Sequence, residues 1–244
     1  MRQHRFYVPI ELAVGVSCQI PVEKARHMIQ VLRLPVGTKV ILFNGDGCEY
    51  SALLTEVKKK AVIVNILSSK TENRESPLTI HLLQGLSKGE RMDFVIQKCT
   101  ELGVASICPV ITARNTVKLN HTRLAKKHTH WQKIIHAACE QSGRNTLPEL
   151  QQTTNFEAIV RTYATNNVLK LILQPEAGMA LRQIPQNPST VVLLVGAEGG
   201  FAPEELALAA QHGFTSLSFG PRILRTETAG LAATAGVQAK WGDI

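Results

Sequence analysis

The chain has 244 residues, 44% of them hydrophobic and 19% charged, which suits two modest domains that each bury a core. No run of about 18 apolar residues could span a bilayer, and Met1-Arg2-Gln3-His4-Arg5 leads into a strand-like stretch rather than the apolar core and cleavage site of a signal peptide, so a cytoplasmic location is expected. Lys and Arg outnumber Asp and Glu by 27 to 19, and the pI is near 9.4; such an excess points to a polyanionic partner, because cationic side chains release the counterions condensed on phosphates.

The first seventy residues read as short strands punctuated by turns: Phe6-Tyr7-Val8, Lys39-Val40-Ile41-Leu42-Phe43, Tyr50-Ser51-Ala52-Leu53-Leu54 and Ala61-Val62-Ile63-Val64-Asn65-Ile66-Leu67. Their spacing predicts a small β-barrel over residues 1–70. Asn44-Gly45-Asp46-Gly47 supplies the positive-φ residues of a tight hairpin, and with no helix after it Gly45-x-Gly47 is not a nucleotide loop. Residues 23–32 read as a short helix stopped near Pro35.

Residues 71–77 are polar, lack apolar periodicity and end in Pro77, which makes them the expected linker. From 78 to 244 strands alternate with longer helices, the pattern of a mainly parallel, covered sheet. Strands are expected at 79–83, 107–111, 168–173, 191–195 and 216–219, and helices at 89–102 and 122–142. In open α/β sheets ligands sit beyond the carboxyl ends of strands, so the loops after residues 173, 195 and 219 are where a small-molecule site belongs.

The five cysteines are widely spaced with no C-x-x-C pair, and buried, reduced thiols are expected rather than disulfides or a zinc site. His128 and His130 lie near His121 and His136, but i,i+2 spacing does not share a helical face, and no metal site is expected. Between residues 114 and 144 the basic residues are Arg114, Lys118, Arg123, Lys126, Lys127, Lys133 and Arg144 against the single acid Glu140. That stretch is either an RNA-facing surface or a solvated helix face.

Two segments carry chemistry. Val195-Gly196-Ala197-Glu198-Gly199-Gly200-Phe201-Ala202-Pro203 runs from a buried strand through a glycine loop into a helix whose first turn suits Pro203 and whose end suits Gly213. Its G-x-x-G-G is neither the Walker sequence nor G-x-G-x-x-G; it either lets the backbone approach a ligand or makes a tight connection. Ser218-Phe219-Gly220-Pro221-Arg222-Ile223-Leu224-Arg225-Thr226-Glu227-Thr228-Ala229-Gly230 again leaves a strand and enters a helix, with Thr226 as candidate N-cap and Glu227 in the first turn. The small residues that follow, Ala229 to Ala239, permit close approach to a ligand or simply close packing.

Together these segments resemble the cofactor-binding signatures of the SPOUT superfamily of RNA methyltransferases. His4-Arg5-Phe6-Tyr7-Val8, His27-x-x-x-Val31-Leu32-Arg33-Leu34, Lys88-Gly89-Glu90-Arg91-Met92-Asp93, Lys98-Cys99-Thr100-Glu101-Leu102-Gly103-Val104 and Ala138-Cys139-Glu140-Gln141-Ser142-Gly143-Arg144 narrow the resemblance to the RsmE family. Ala197 and Phe219 depart from it, standing where proline and leucine are usual. The resemblance implies an α/β protein with an N-terminal PUA-like β-barrel and a C-terminal SPOUT domain closed by a deep trefoil knot, acting on N3 of one uridine in 16S ribosomal RNA of the small subunit, with S-adenosyl-L-methionine as cofactor. It also implies a homodimer. The cofactor would lie against Leu173, Gln174, Val195, Gly196, Glu198, Gly199, Gly200, Leu217, Gly220, Ile223, Leu224, Arg225, Thr226 and Ala229.

For the chemistry, Arg225 is the candidate for orienting the uracil or stabilising its developing anion, and Glu198 or Glu227 for accepting the N3 proton. RNA would be held by Arg2, Arg5, Arg26 and Arg33 of the barrel with Lys88, Arg91, Arg114, Lys118, Arg123, Lys126, Lys127 and Arg144. Two rivals stand beside this reading: a SPOUT enzyme with another target such as a ribose 2′-hydroxyl, and a non-catalytic RNA-binding ribosome-assembly factor, which would not need the glycine loops.

Overall fold

The computed structural model describes residues 3–115, 121–164, 168–175 and 179–244. The chain forms two compact units: Met1–Glu75 with Cys139–Leu147, and Ser76–Ala138 with Pro148–Ile244.

The first unit contains β1 (Arg5–Tyr7), β2 (Ser17–Gln19), α1 (Val22–Arg26), β3 (Lys39–Phe43), β4 (Cys48–Lys58) and β5 (Ala61–Thr71). Its sheet order is β1-β3-β4-β5-β2, antiparallel except for the parallel β1/β3 pair. Alternate residues, Val40 and Leu42, Ala52 and Leu54, Val62, Val64 and Ile66, share one core with Phe6, Met28 and Leu34, as the period-2 reading expects. The structure adds β2, whose mixed polar sequence hides it, and prolongs β5 to Thr71. Beyond it Glu72 pairs with Lys70 and Arg74. The hairpin is built as expected: Gly45 and Gly47 have positive φ, and Asn44 and Asp46 accept from the backbone N–H groups of Asp46 and Cys48.

The expected helix at 23–32 is α1 followed by one π-helical turn, His27–Val31. It stops at Arg33, which has φ 52°, with the Leu34 N–H donating to Met28 O at 3.0 Å. A left-handed residue normally closes such a turn, and glycine is its usual occupant.

The second unit holds β6 (Thr79–Gly85), α2 (Arg91–Glu101), β7 (Ser106–Ile111), α3 (His121–Ser142), β8 (Glu149–Leu150), β9 (Thr154–Asn155), α4 (Phe156–Thr162), β10 (Leu169–Leu173), β11 (Met179–Ala180), β12 (Thr190–Val195), α5 (Pro203–Gln211), β13 (Thr215–Ser218) and α6 (Thr226–Trp241), the last four residues of α3 belonging to the first unit. The sheet runs β11-β13-β10-β12-β6-β7-β8, with β9 also on β7, and every pairing is parallel. Val192 and Leu194 pack with α4 and α5 residues such as Ile159, Val160 and Ala209. On α6, Ala233 and Val237 are fully buried, and the helix packs against α2, β6 and β12. From Gly230 onward the small-residue stripe is thus a packing face: a Cβ on Gly236 would lie 2.9 Å from the Phe219 ring. Sequence reading missed β8, β9, β11 and α4, elements of two to seven residues too short for periodicity to register.

Cys99, Cys108 and Cys139 are buried, and burial pushes each thiol up to about 12. Cys18 and Cys48, expected to be buried, are only half-covered. The described residues contain no group of three His, Cys, Asp or Glu able to hold a metal ion, and no helix among them is long and apolar enough to cross a membrane.

Candidate active site

β13, β10 and β12 are neighbours, so their carboxyl ends at Ser218, Leu173 and Val195 open on one edge of the sheet. The loops leaving them enclose a cavity of about 660 Å³, within the range of roughly 300–1,000 Å³ usual for small-molecule sites. Every position expected to hold the cofactor lines it. So do Pro175, Ala197, Phe201, Leu206, Phe219 and Arg222, together with Arg91 and Arg114, both of which the sequence reading placed with the RNA.

The glycine loop is shaped by what lies beneath it. A Cβ on Gly85, at the end of β6, would overlap the Ala197 amide nitrogen and lie 2.6 Å from the Gly196 carbonyl carbon. Gly199 abuts Arg114, where an added Cβ would meet the Arg114 Cβ and carbonyl oxygen at 2.9 Å. The loop closes on itself through the Gly200 N–H donating to Ala197 O at 2.9 Å. Glu205 of α5 fastens the neighbouring 112–114 turn, accepting from the backbone N–H of Ala113 and that of Ala202, each at 2.8 Å.

Arg91 organises the acidic side of the cavity. Its Nη1 donates to Glu198 Oε1 at 2.6 Å and its Nε lies 3.8 Å from Glu227 Oε1. Glu198 also accepts from the Lys88 backbone N–H at 3.0 Å. Burial pushes the Glu198 carboxyl upward, but the backbone N–H groups of Lys88 and of Glu198 itself, with the Arg91 guanidinium, outweigh burial and hold it below the usual carboxylate range. Because this pKa is depressed, the tie is complete above the ordinary carboxylate pKa and is lost as pH falls through the depressed value. Glu227 differs: its Oε2 is buried without a hydrogen-bond partner among the described residues.

Arg222, Ile223 and Arg225 are exposed at the cavity wall. Thr226 corrects an expectation. The N-cap of α6 is Arg225, with no side-chain cap bond, and the Thr226 hydroxyl instead donates to Gly196 O at 2.5 Å, a partner 30 positions away that outcompetes the local amide.

Of the residues expected to face RNA, Arg26, Arg33, Lys88, Arg91, Arg114, Arg123 and Lys126 are at least partly exposed, and Lys127 sits with Nζ 5.6 Å from the Trp131 ring centre. Arg2 and Lys118 lie outside the described residues. Arg5 and Arg144 are corrections, both turned inward within the first unit. Arg5, its side chain 7% exposed, pairs with Glu49 and donates to Asn145 Oδ1 at 2.6 Å and Gly143 O at 3.2 Å. Arg144, its side chain 4% exposed, forms a two-pronged pair with Glu75. With Glu140 accepting from Lys24 and the Tyr7 N–H, these contacts clasp the 139–147 segment to the sheet. Arg144→Ala should therefore cost the first unit about 3 kcal/mol, since removing one partner strands the other's charge. Urea unfolding followed by circular dichroism measures it; a loss under about 0.5 kcal/mol, the scale of an ordinary surface change, would show the pair to be effectively solvated.

A small β domain followed by a parallel α/β domain with a glycine-loop cavity fits the RNA methyltransferases, the class that the family matches show. Residues 74–238 match the family model described as an RNA methyltransferase domain, and residues 20–67 the RNA methyltransferase PUA domain. The chain belongs to the ribosomal RNA small subunit methyltransferase E family: it is 35% identical to that protein of Buchnera aphidicola over 98% of this chain and 97% of the relative, and 30% identical to that of Bacillus subtilis over 88% and 87%. The Neisseria gonorrhoeae member, solved bound to S-adenosyl methionine, superposes with a TM-score of 0.92 at 40% identity over the whole of both chains. A Legionella pneumophila structure described as a methyltransferase with the cofactor SAM bound gives 0.96 at 47%, again over both whole chains.

Proposed function

We propose that the protein methylates N3 of one uridine in 16S ribosomal RNA of the small subunit, using S-adenosyl-L-methionine, in the cytoplasm. The observation that carries this reading is the cavity at three adjacent strand ends, walled by a glycine loop on one side and arginines and carboxylates on another. Its residues fit the cofactor. Leu173, Leu217, Leu224 and Ala229 offer apolar walls to an adenosyl group, the 196–200 loop brings backbone close, and Glu227 Oε2, unpartnered among the described residues, suits a cationic or proton-donating ligand. When bound, S-adenosylmethionine supplies an electrophilic methyl group.

The chain's own residues have the remaining tasks. A neutral uridine N3 is a poor nucleophile, so its proton must leave. Glu198 is committed to Arg91 and Lys88 and kept ionised, which suits holding the loop; Glu227, with an oxygen unspoken for, is the better proton acceptor, directly or through water. Arg225 orients the uracil and stabilises negative charge developing on its oxygens.

The trefoil knot belongs to the same reading. Two features support it: β12 enters between β10 and β6 after both are laid down, and α6 returns from β13 to pack on β6 and β12. A homodimer is proposed on the family resemblance, with exposed Phe94 and Ile223 as apolar surface to cover; sedimentation as a monomer at working concentration would remove it.

RNA contacts are proposed at the exposed basic residues, with extrusion of the base into the cavity. Arg33 is the most telling of them, because a left-handed arginine costs about 1–2 kcal/mol that glycine would not, and strain of this kind is retained where it serves a function. Arg33→Gly should raise stability by about 1 kcal/mol while weakening RNA binding and reducing the salt slope by about one. Thermal melts with filter binding across a salt series check both; unchanged affinity would remove Arg33 from the interface.

The function is tested by methyl transfer from labelled S-adenosylmethionine to small subunits lacking the mark and to naked rRNA, followed by nucleoside mass spectrometry. N3-methyluridine is expected. A 2′-O-methylated product would keep the enzyme and replace the target, and absence of both transfer and cofactor binding would favour an assembly factor.

A further inference from the structure

Gln84 lies fully buried near the end of β6, beside Val195 at the end of β12. Leu82 and Leu83 just before it are also fully buried, so an apolar side chain would be the inexpensive choice there, whereas a buried amide costs stability unless its polar atoms are paired. Nε2 donates to Thr226 Oγ1 at 2.9 Å and to Gly85 O at 3.3 Å. Thr226 Oγ1 in turn donates to Gly196 O at 2.5 Å. A hydroxyl has one proton; with that proton on Gly196 O, Thr226 can only accept from Gln84, which sets the amide with its nitrogen toward Thr226. Oε1 is left buried without a hydrogen-bond partner among the described residues, pressed against Gly230, where an added Cβ would lie 2.7 Å away.

A side chain with one amide atom satisfied and the other stranded is a weak stability element. What it does is geometric: it ties β6 to the two segments that wall the cavity, at the first residue of the glycine loop and the first turn of α6. Gln84 does not itself line the cavity. We propose that Gln84 is a positioning residue for the cofactor site, holding Thr226 in the rotamer that fixes the Gly196 carbonyl and the α6 amino end at the separation cofactor binding requires. The proposal rests on the reading of the cavity as the S-adenosylmethionine site.

The test is isothermal titration of S-adenosylmethionine into the full-length protein and its variants, beside melting curves and steady-state methyl transfer. Gln84→Met keeps the volume and removes the donor. Expected are a melting temperature equal to or above that of the parent, a Kd and KM for S-adenosylmethionine raised about tenfold, and a kcat at saturating cofactor within about twofold. Thr226→Ser, which keeps the hydroxyl, should bind nearly as the parent does, Thr226→Val should not, and Gln84→Met combined with Thr226→Val should be no weaker than the weaker single variant. Unchanged affinity in Gln84→Met overturns the proposal while leaving the cavity reading intact; failure of the parent protein to bind overturns both. Should Gln84→Met not fold, equal binding by Thr226→Ser and Thr226→Val overturns the relay by itself.

Discussion

Gly85→Ala is expected to lower S-adenosylmethionine affinity by about 100-fold or more. The added methyl would collide with backbone, the Ala197 nitrogen and the Gly196 carbonyl carbon, and backbone in a short loop cannot rotate aside as a side chain would. Restoring ordinary contact with the Ala197 nitrogen, from 2.2 to 3.4 Å, requires the glycine loop to move by more than an ångström, and a misplacement of about 1 Å in a site costs about 10²-fold. β6 itself should persist, because Gly85 lies at its last position and six residues before it, Thr79 to Gln84, remain paired with β12. Titration calorimetry with circular dichroism separates the two effects. Near-normal binding would mean that the loop can re-form elsewhere, and loss of the fold would shift the role of Gly85 to the sheet.

Arg225→Ala is expected to reduce turnover by about 10²–10³-fold, the cost of removing one preorganised donor from a developing oxyanion, with the cofactor Kd within about threefold of the parent. Arg225 is exposed at the cavity wall and makes no salt bridge among the described residues. Its backbone caps α6 but its side chain contributes no cap bond, so truncation should spare the helix. Arg225→Lys should recover only part of the rate, since an ammonium lacks the planar fork. Single-turnover methyl transfer with a separate binding measurement decides the matter. Retained turnover removes Arg225 from the mechanism, and lost cofactor binding in a folded variant makes it a cofactor ligand.

Much of this site was legible along the chain. The segments 195–203 and 217–229 declare themselves because strand, glycine loop and helix start each impose local requirements: an apolar strand, backbone that tolerates close approach, and Pro203 in a first turn. Their convergence follows from the rule for parallel sheets, once strands end at 173, 195 and 218. The helix at 23–32 was half right, since its π turn depends on bonds that span one more residue than the pattern tests. Thr226 was misread for a related reason, because a hydroxyl suited to capping was drawn to a carbonyl that the fold delivers.

The basic residues mark the limit. Composition could say that this chain carries an excess of positive charge and suits a polyanion, since charge adds up without regard to position. It could not say which arginines are free to meet one. Arg144 faces Glu75, 69 positions earlier, Arg5 faces Glu49, 44 positions later, and Arg91 faces Glu198, 107 positions later. A guanidinium looks the same in a sequence whether it meets solvent, a carboxylate or a phosphate. Gln84 and Gly85 were silent likewise, because their importance lies in atoms that approach only after β6 and β12 have paired. Local conformational preference is written residue by residue; pairing and burial belong to neighbours that folding supplies.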